Sequence, residues 1–296
     1  MLIEKEAKSI LNKHKQRDGW FLDEYSVNPY EGCSCNCLYC YVRGSKYGEN
    51  MEEKMAVKVN ALSVLEKQLQ TRAKKSQHGI VAVGSATDAY LPAEAHYRLT
   101  EGFLKLFLRY RFPVFISTKR ALVLRDIHLL KQIDEAAILP PDLLGKLNHG
   151  VILSVSVSTM NEKMAAMLEP GAIAPLQRME LMSRLKSEGF LVGVNAIPVL
   201  PLISDAEEEL QKIISAAKIH GADYVLIGGL TLFGKEIADS KTLYYQFLAK
   251  HAPDLIPEYD KLYGSNDTLP RSYLAALKTR ADKLCRQNQI RNQILE

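Results

Sequence analysis

Short β-branched apolar runs alternate with amphipathic stretches along most of this chain, and that rhythm limits the folds open to it. Gly79-IVAVGS precedes a helical pattern over Ala93 to Tyr110, Pro113-VFIST one over Leu122 to Ala137, and Val151-ILSVSV one over Ala174 to Ser187. Phe190-LVGVNAI then precedes Asp205 to His220, and Asp223-YVLIGGL closes the series. A strand that is apolar throughout is covered on both faces, and a helix of about 10 to 15 residues after each such strand is the mark of parallel βαβ units. A first strand around Tyr25 to Pro29, with a helix near Asn60 to Lys74, brings the series to six, two short of a closed eight-stranded barrel. The expected fold is α/β, a partial (β/α)6 TIM-type barrel.

After Thr231 the pattern turns helical only: roughly Lys241 to His251, Asp254 to Tyr263 and Arg271 to Asn292, with Pro253, Pro257 and Pro270 near their starts. This reads as an appended C-terminal helical segment. Three regions follow: an N-terminal extension over 1–24, the partial barrel over 25–232 and the helical segment over 233–296. Neither a repeat of solenoid period nor a low-complexity tract interrupts them. GSKYGENMEE, from Gly44 to Glu53, is polar and glycine-punctuated, and reads as a mobile loop placed to cover a ligand.

With 47% hydrophobic and 24% charged residues the chain can bury a large core. Its longest apolar runs, Gly150 to Val157 and Phe190 to Leu202, are too short or too proline-broken to cross a bilayer, so no membrane partner is expected. MLIEKEAKSILNKHK lacks the apolar centre of a secretory signal, and a cytoplasmic location is the expectation. A net charge of +4 does not by itself demand a nucleic acid. The distribution is uneven, however: Arg271 to Glu296 carries Arg271, Lys278, Arg280, Lys283, Arg286 and Arg291 against Asp282 and Glu296, an excess equal to the net charge of the whole chain.

Four of the five cysteines stand between 33 and 40, and the fifth is Cys285. Clustered thiols in a long chain without an export signal read as ligands for a soft metal rather than as a disulfide framework. In NPYEGCSCNCLYCYVR, Cys33, Cys37 and Cys40 are separated by three and then two residues. Three thiolates so spaced can take three corners of a 4Fe-4S cubane and leave the fourth iron for a small molecule. A tetrahedral zinc site would want a second pair of ligands beyond a longer loop, and none is visible. Cys35, between two ligands on a tight loop, is expected to be a non-ligand.

The spacing, with an aromatic residue before Cys40, resembles the signature of the radical S-adenosylmethionine (SAM) superfamily. Together with GSATDAYLPAE, ISTK, SVS, LEP and PVLP, the segment from Asn28 to Leu230 is similar to the relatives of spore photoproduct lyase, a DNA-repair-photolyase-like group. The resemblance implies that SAM binds the open iron and that an electron from the cluster cleaves it to a 5′-deoxyadenosyl radical. It implies an external electron donor such as flavodoxin or ferredoxin, and DNA or RNA as a candidate partner. Carried over by position, Tyr41 lies against the adenine, Ser85, Ala86, Thr87 and Asp88 meet the methionine part of SAM, Lys119 pairs with its carboxylate, and Ser156 reaches the ribose or carboxylate. All follow predicted strands, where barrels carry their sites.

Each residue also has a plainer reading. Lys119 alone is a strand-end lysine on a solvated rim, Asp88 a turn or cap residue, and His96 and His128 surface or packing residues. Gly228-Gly229 is too weak to mark a phosphate loop. The likeness also has a departure: the lyase's hydrogen-donating cysteine at the end of the second strand is replaced here by Ser85, whose stronger O–H bond argues against photoproduct repair as the activity. Cys35 and Cys285 are the remaining thiols. Beside the radical enzyme stand two further classes: a nucleic-acid-binding module whose cluster is structural and whose basic tail contacts phosphates, and a zinc-stabilised scaffold.

Overall fold

The computed structural model of the chain describes residues 2–45 and 55–295. Its strands are β1 (Leu2–Lys5), β2 (Asn12–Lys13), β3 (Asp23–Val27), β4 (Tyr30–Glu31), β5 (Met55–Lys58), β6 (Ile80–Val83), β7 (Val114–Thr118), β8 (Val151–Ser156), β9 (Leu191–Ala196) and β10 (Tyr224–Ile227). Its helices are α1 (Ala61–Ala73), α2 (Glu94–Tyr97), α3 (Leu99–Tyr110), α4 (Ile127–Ala136), α5 (Glu162–Leu168), α6 (Pro175–Ser187), α7 (Glu207–Ile219), α8 (Ser240–His251), α9 (Ile256–Tyr263) and α10 (Arg271–Gln287).

The main sheet runs β10-β9-β8-β7-β6-β3-β2. β3 and β6 to β10 are the six expected parallel strands, and β2 adds an antiparallel edge. The sheet stays open, with edges at β2 and β10. The apolar runs serve two cores. Val81, Val83, Val114, Ile116, Val151, Leu153, Val192, Val194 and Val225 face the helices. Ile80, Ala82, Phe115, Ile152, Leu191, Tyr224 and Leu226 face inward and fill the floor together with Leu22, Leu147 and Ile294. Gly193 is required in that floor, because a Cβ there would lie 2.4 Å from the Tyr224 carbonyl oxygen.

Several expected elements differ in detail. The helix expected over Ala93 to Tyr110 is broken at Arg98, which takes a left-handed φ of 50°. The break lets the buried Glu94 carboxylate accept the Thr100 and Glu101 amides at 2.9 and 3.2 Å, so the first turn of α3 is capped from the preceding helix. The helix expected over Leu122 to Ala137 opens with a 3-10 turn, Ala121–Asp126. The helix expected to reach Asn292 ends at Gln287: left-handed Gln289 turns the chain, and the Ile290 amide donates back to the Cys285 carbonyl. The released segment runs beside β10, where the Val225 amide donates to the Arg291 carbonyl at 2.8 Å. A small sheet, β1-β5-β4, was not anticipated, since strands of two to four residues carry too little periodicity to read.

The later helices flank the barrel in two places. α8 and α9 pack Tyr244, Phe247, Tyr259 and Tyr263 against Leu200, Leu230 and Leu232 and against Cys35, Cys37 and Tyr39. Hydroxyls secure this face, Tyr259 donating to the Pro201 carbonyl at 2.6 Å and Tyr263 to that of Leu230 at 2.9 Å. α10 lies on α7 and β10. The loop reading of Gly44 to Glu53 falls, from residue 46 onward, outside the described residues. Among the described residues no helix is long and apolar enough to cross a membrane.

Candidate active site

Above the apolar floor the inner faces of the strands turn polar. Ser26 on β3, Ser117 on β7, Ser156 on β8 and Asn195 on β9 line a cavity of about 970 Å3. That is at the upper end of the range for small-molecule sites, about 300 to 1,000 Å3. Cys33, Cys35, Cys37 and Cys40 line it too, on the loop after β4, and so do Tyr41, Ser85, Ala86, Thr87, Asp88 and Lys119. Every residue singled out for the cluster or for SAM therefore borders one cavity at the C-terminal ends of the strands.

The cysteine loop is held by backbone on both sides. The Leu38 amide donates to the Leu168 carbonyl at 2.9 Å, and the Gly171 amide donates to the Cys35 carbonyl at 3.0 Å. Only glycine fits at 171, where a Cβ would lie 1.8 Å from the Ser34 carbonyl oxygen. Asn36 turns the loop in the left-handed region and accepts from the buried Arg43 guanidinium, whose Nε donates to the Cys37 carbonyl at 3.1 Å. Leu168 to Gly171 is the L-E-P-G strip of the sequence, so its backbone braces the loop.

Its side chain does more. Glu169 is 2% exposed and meets Arg178 in a salt bridge, accepts a hydrogen bond from the Tyr39 hydroxyl, and lies 3.8 Å from Lys119 Nζ. Burial alone would raise its pKa, but Lys119 and Arg178 overcome this and hold it below the usual carboxylate range. Burial likewise opposes the charge on Lys119, and Glu169 reverses the effect, so the ammonium is held above its ordinary value. Lys119 donates to Ser156 Oγ, and Arg178 donates to the Ser156 carbonyl at 2.7 Å. Lys119 is therefore no solvated rim residue: its side chain is 11% exposed and aligned by a buried carboxylate.

Asp88 spends its carboxylate on the protein. It accepts from the Tyr90 amide at 2.8 Å, the Lys119 amide at 2.8 Å and the Thr118 hydroxyl at 2.8 and 3.0 Å, with Cys35 Sγ at 3.9 Å. It ties the β6 turn to the end of β7 and to the cysteine loop. Thr87 Oγ1 donates to the Gly32 carbonyl at 2.6 Å, while Asn28 holds the Ser85 hydroxyl and the Ala86 amide at 3.0 and 2.7 Å. Tyr41 is half exposed and donates to the Ser85 carbonyl. Cys285 is apart from the site, in the core under α10, where burial pushes its thiol up to about 12. His96 and His128 are exposed, in keeping with their plainer reading.

The donor chemistry fits an iron-sulfur cluster. Burial pushes the Cys37 and Cys40 thiols up, and a hydrogen bond that the Cys33 thiol donates to Cys35, with burial, does the same to Cys33. Thiolates in such a place need cationic partners, which iron supplies. A cubane offers each thiolate its own iron, so the three sulfurs need not converge on one point. Among the described residues no three His, Cys, Asp or Glu side chains converge tightly enough for a single ion.

Sequence reasoning gave no site role to Tyr39 and Glu169, which entered only as the aromatic before Cys40 and within LEP, nor to Arg178, Asn195, His14 or Asp23. The signal for some of them was present: Ser117, Ser156 and Asn195 are polar residues at alternate positions near the ends of otherwise apolar strands. On the tail, Lys278 pairs with Asp282 and Lys283 with Glu207, each at 2.8 Å, which makes much of that helix an ordinary charge-balanced face.

The sequence profile of the Radical SAM superfamily matches residues 27–214. An uncharacterized protein of Mycobacterium tuberculosis is 30% identical over 267 residues, covering 88% of this chain and 73% of its own length. A protein of Pseudomonas phage M6 named radical SAM Nalpha-GlyT isomerase is 23% identical over 222 residues, 73% of this chain and 42% of its own. Among solved structures, a mutant spore photoproduct lyase with bound AdoMet and dinucleoside spore photoproduct superposes with a TM-score of 0.66 at 16% identity, over 97% of this chain and 79% of that one.

Proposed function

This chain belongs to the radical SAM superfamily, and from that premise we propose that its cavity binds SAM against a 4Fe-4S cluster held by Cys33, Cys37 and Cys40, and acts on a nucleic-acid component. When bound, cluster and SAM supply reductive cleavage to a 5′-deoxyadenosyl radical, which takes hydrogen from the substrate. The residues around them bind, orient and exclude water. Lys119, aligned by Glu169 and Ser156, pairs with the cofactor carboxylate. The strip from Ser85 to Thr87 meets the amino acid part, and Tyr41 covers the adenine; Asp88 serves by fixing the Lys119 backbone.

The observation that carries this reading is the convergence of the cysteine loop and a buried lysine on one deep cavity at the strand ends. The electron comes from an external donor of the flavodoxin or ferredoxin class in a reducing compartment, the cytoplasm. The test is anaerobic: the reconstituted chain with SAM and a reductant releases 5′-deoxyadenosine, and release rises with the true substrate. A loaded cluster with no SAM cleavage, together with salt-sensitive DNA binding, would instead support the module with a structural cluster.

A further inference from the structure

The cavity extends well away from the cysteines, and its far end has a chemistry of its own. The β2–β3 hairpin brings His14, Asp18, Phe21 and Asp23 to that end, beside Ser26. His14 bridges two of them: Nδ1 lies 3.2 Å from Asp23 Oδ2, and Nε2 lies 3.2 Å from Ser26 Oγ. Asp23 is 3% exposed, and its second oxygen, Oδ1, is buried without any hydrogen-bond partner. A buried carboxylate oxygen left unpaired is destabilising, so the arrangement calls for a donor. The walls beside it are aromatic, with the Phe21 and Phe115 rings stacked at 4.8 Å and both lining the cavity.

We propose that His14, Asp23 and Ser26 form the recognition end of the cavity and take a planar nitrogen heterocycle, one ring N–H of which donates to Asp23 Oδ1. This deepens the function proposed above and rests on it, since it names the part of the substrate the cavity holds. A single N–H suffices because His14 already occupies the other oxygen, its Nδ1 lying 3.2 Å from Asp23 Oδ2, and leaves Oδ1 as the acceptor to be answered. A flat ring suits the phenylalanine walls, where apolar faces bury while one polar edge meets the carboxylate. The geometry also orients the ligand: anchored at the hairpin, a nucleoside has its sugar free to extend toward the cysteine loop.

The experiment uses the reconstituted full chain with SAM. Binding of thymidine, guanosine and their ring-N-methylated derivatives is measured by calorimetry, and by the fluorescence of Trp20, the single tryptophan, next to Phe21. At least one parent nucleoside is expected to bind, with methylation of the ring nitrogen weakening it by about tenfold or more, and Asp23→Ala erasing the difference. His14→Gln, which keeps Asp23, should retain the methylation effect if folding is intact. Indifference to methylation, no binding by either nucleoside, or tighter binding by benzylamine overturns the proposal. Failure of the underlying reading is distinct, because it appears as absence of SAM cleavage in the parent chain whatever the nucleosides do.

Discussion

The two ends of the cavity are built on opposite plans. At the cysteine end both carboxylates are engaged: Glu169 by ion pairs with Lys119 and Arg178 and a hydrogen bond from Tyr39, and Asp88 by two amides and a hydroxyl. At the hairpin end a buried carboxylate keeps one oxygen unanswered. A satisfied network is rigid and suits a ligand that is the same in every turnover, whereas an unsatisfied acceptor costs stability and suits discrimination among incoming molecules.

The sharpest way to break this contrast is at the cysteines. Cys33→Ala, Cys37→Ala and Cys40→Ala are each expected to abolish the cluster, whereas Cys35→Ala retains it, because Cys35 Sγ faces Asp88 within the loop. Iron and sulfide analysis of the four purified variants decides; retention in any of the first three removes that ligand.

Next comes the network. Glu169→Ala leaves Lys119 and Arg178 as buried cations without their shared carboxylate, a change worth about 3 to 5 kcal/mol of stability. Chemical denaturation of the unloaded chain reads it, and a loss under about 1 kcal/mol would mean that the network is looser than its geometry. A smaller effect is expected from Lys119→Ala: SAM affinity falls about 10- to 100-fold, as for one charge-assisted contact, while iron content is unchanged. Equal affinity in variant and parent takes Lys119 out of the site.

The smallest effect has the opposite sign. Burial, opposed by His14 and reinforced by Asp18, raises the Asp23 pKa to about 6. A carboxyl whose folded pKa lies above its unfolded value favours the folded state when protonated, so stability should decline as pH rises from about 4 to 6. Asp23→Asn should remove that decline and stabilise the chain at neutral pH by about 1 to 2 kcal/mol. Melting curves at pH 4 and pH 7 for both chains test the sign; a variant less stable than the parent at pH 7 would mean that Asp23 is satisfied after all.

The parallel strands and the cysteine cluster were legible because each is written locally, as an apolar run or as a spacing within eight residues. Glu169 was not, since its partners Tyr39, Lys119 and Arg178 come from separate elements, and no local pattern distinguishes such a glutamate from a surface one. The hairpin end was hidden for another reason. β2 is two residues long, so nothing in the sequence signals that His14 folds back beside Asp23. The end of α10 was misplaced because its apolar pattern runs on past Gln287, while the left-handed turn at Gln289 depends on contacts made elsewhere.

The L-E-P-G strip has a bearing on how the cysteine loop is ordered. Leu168 and Gly171 hydrogen-bond the cysteine loop and Ser34 closes against Gly171, so protein contacts brace the loop from two sides. Ordering a residue costs about 1 to 2 kcal/mol of backbone entropy, and these contacts meet part of that cost for the loop. A loop so braced asks little further ordering of a group that binds to it. A bulkier residue at 171 would push Ser34 aside and misshape the loop that carries Cys33, Cys35, Cys37 and Cys40.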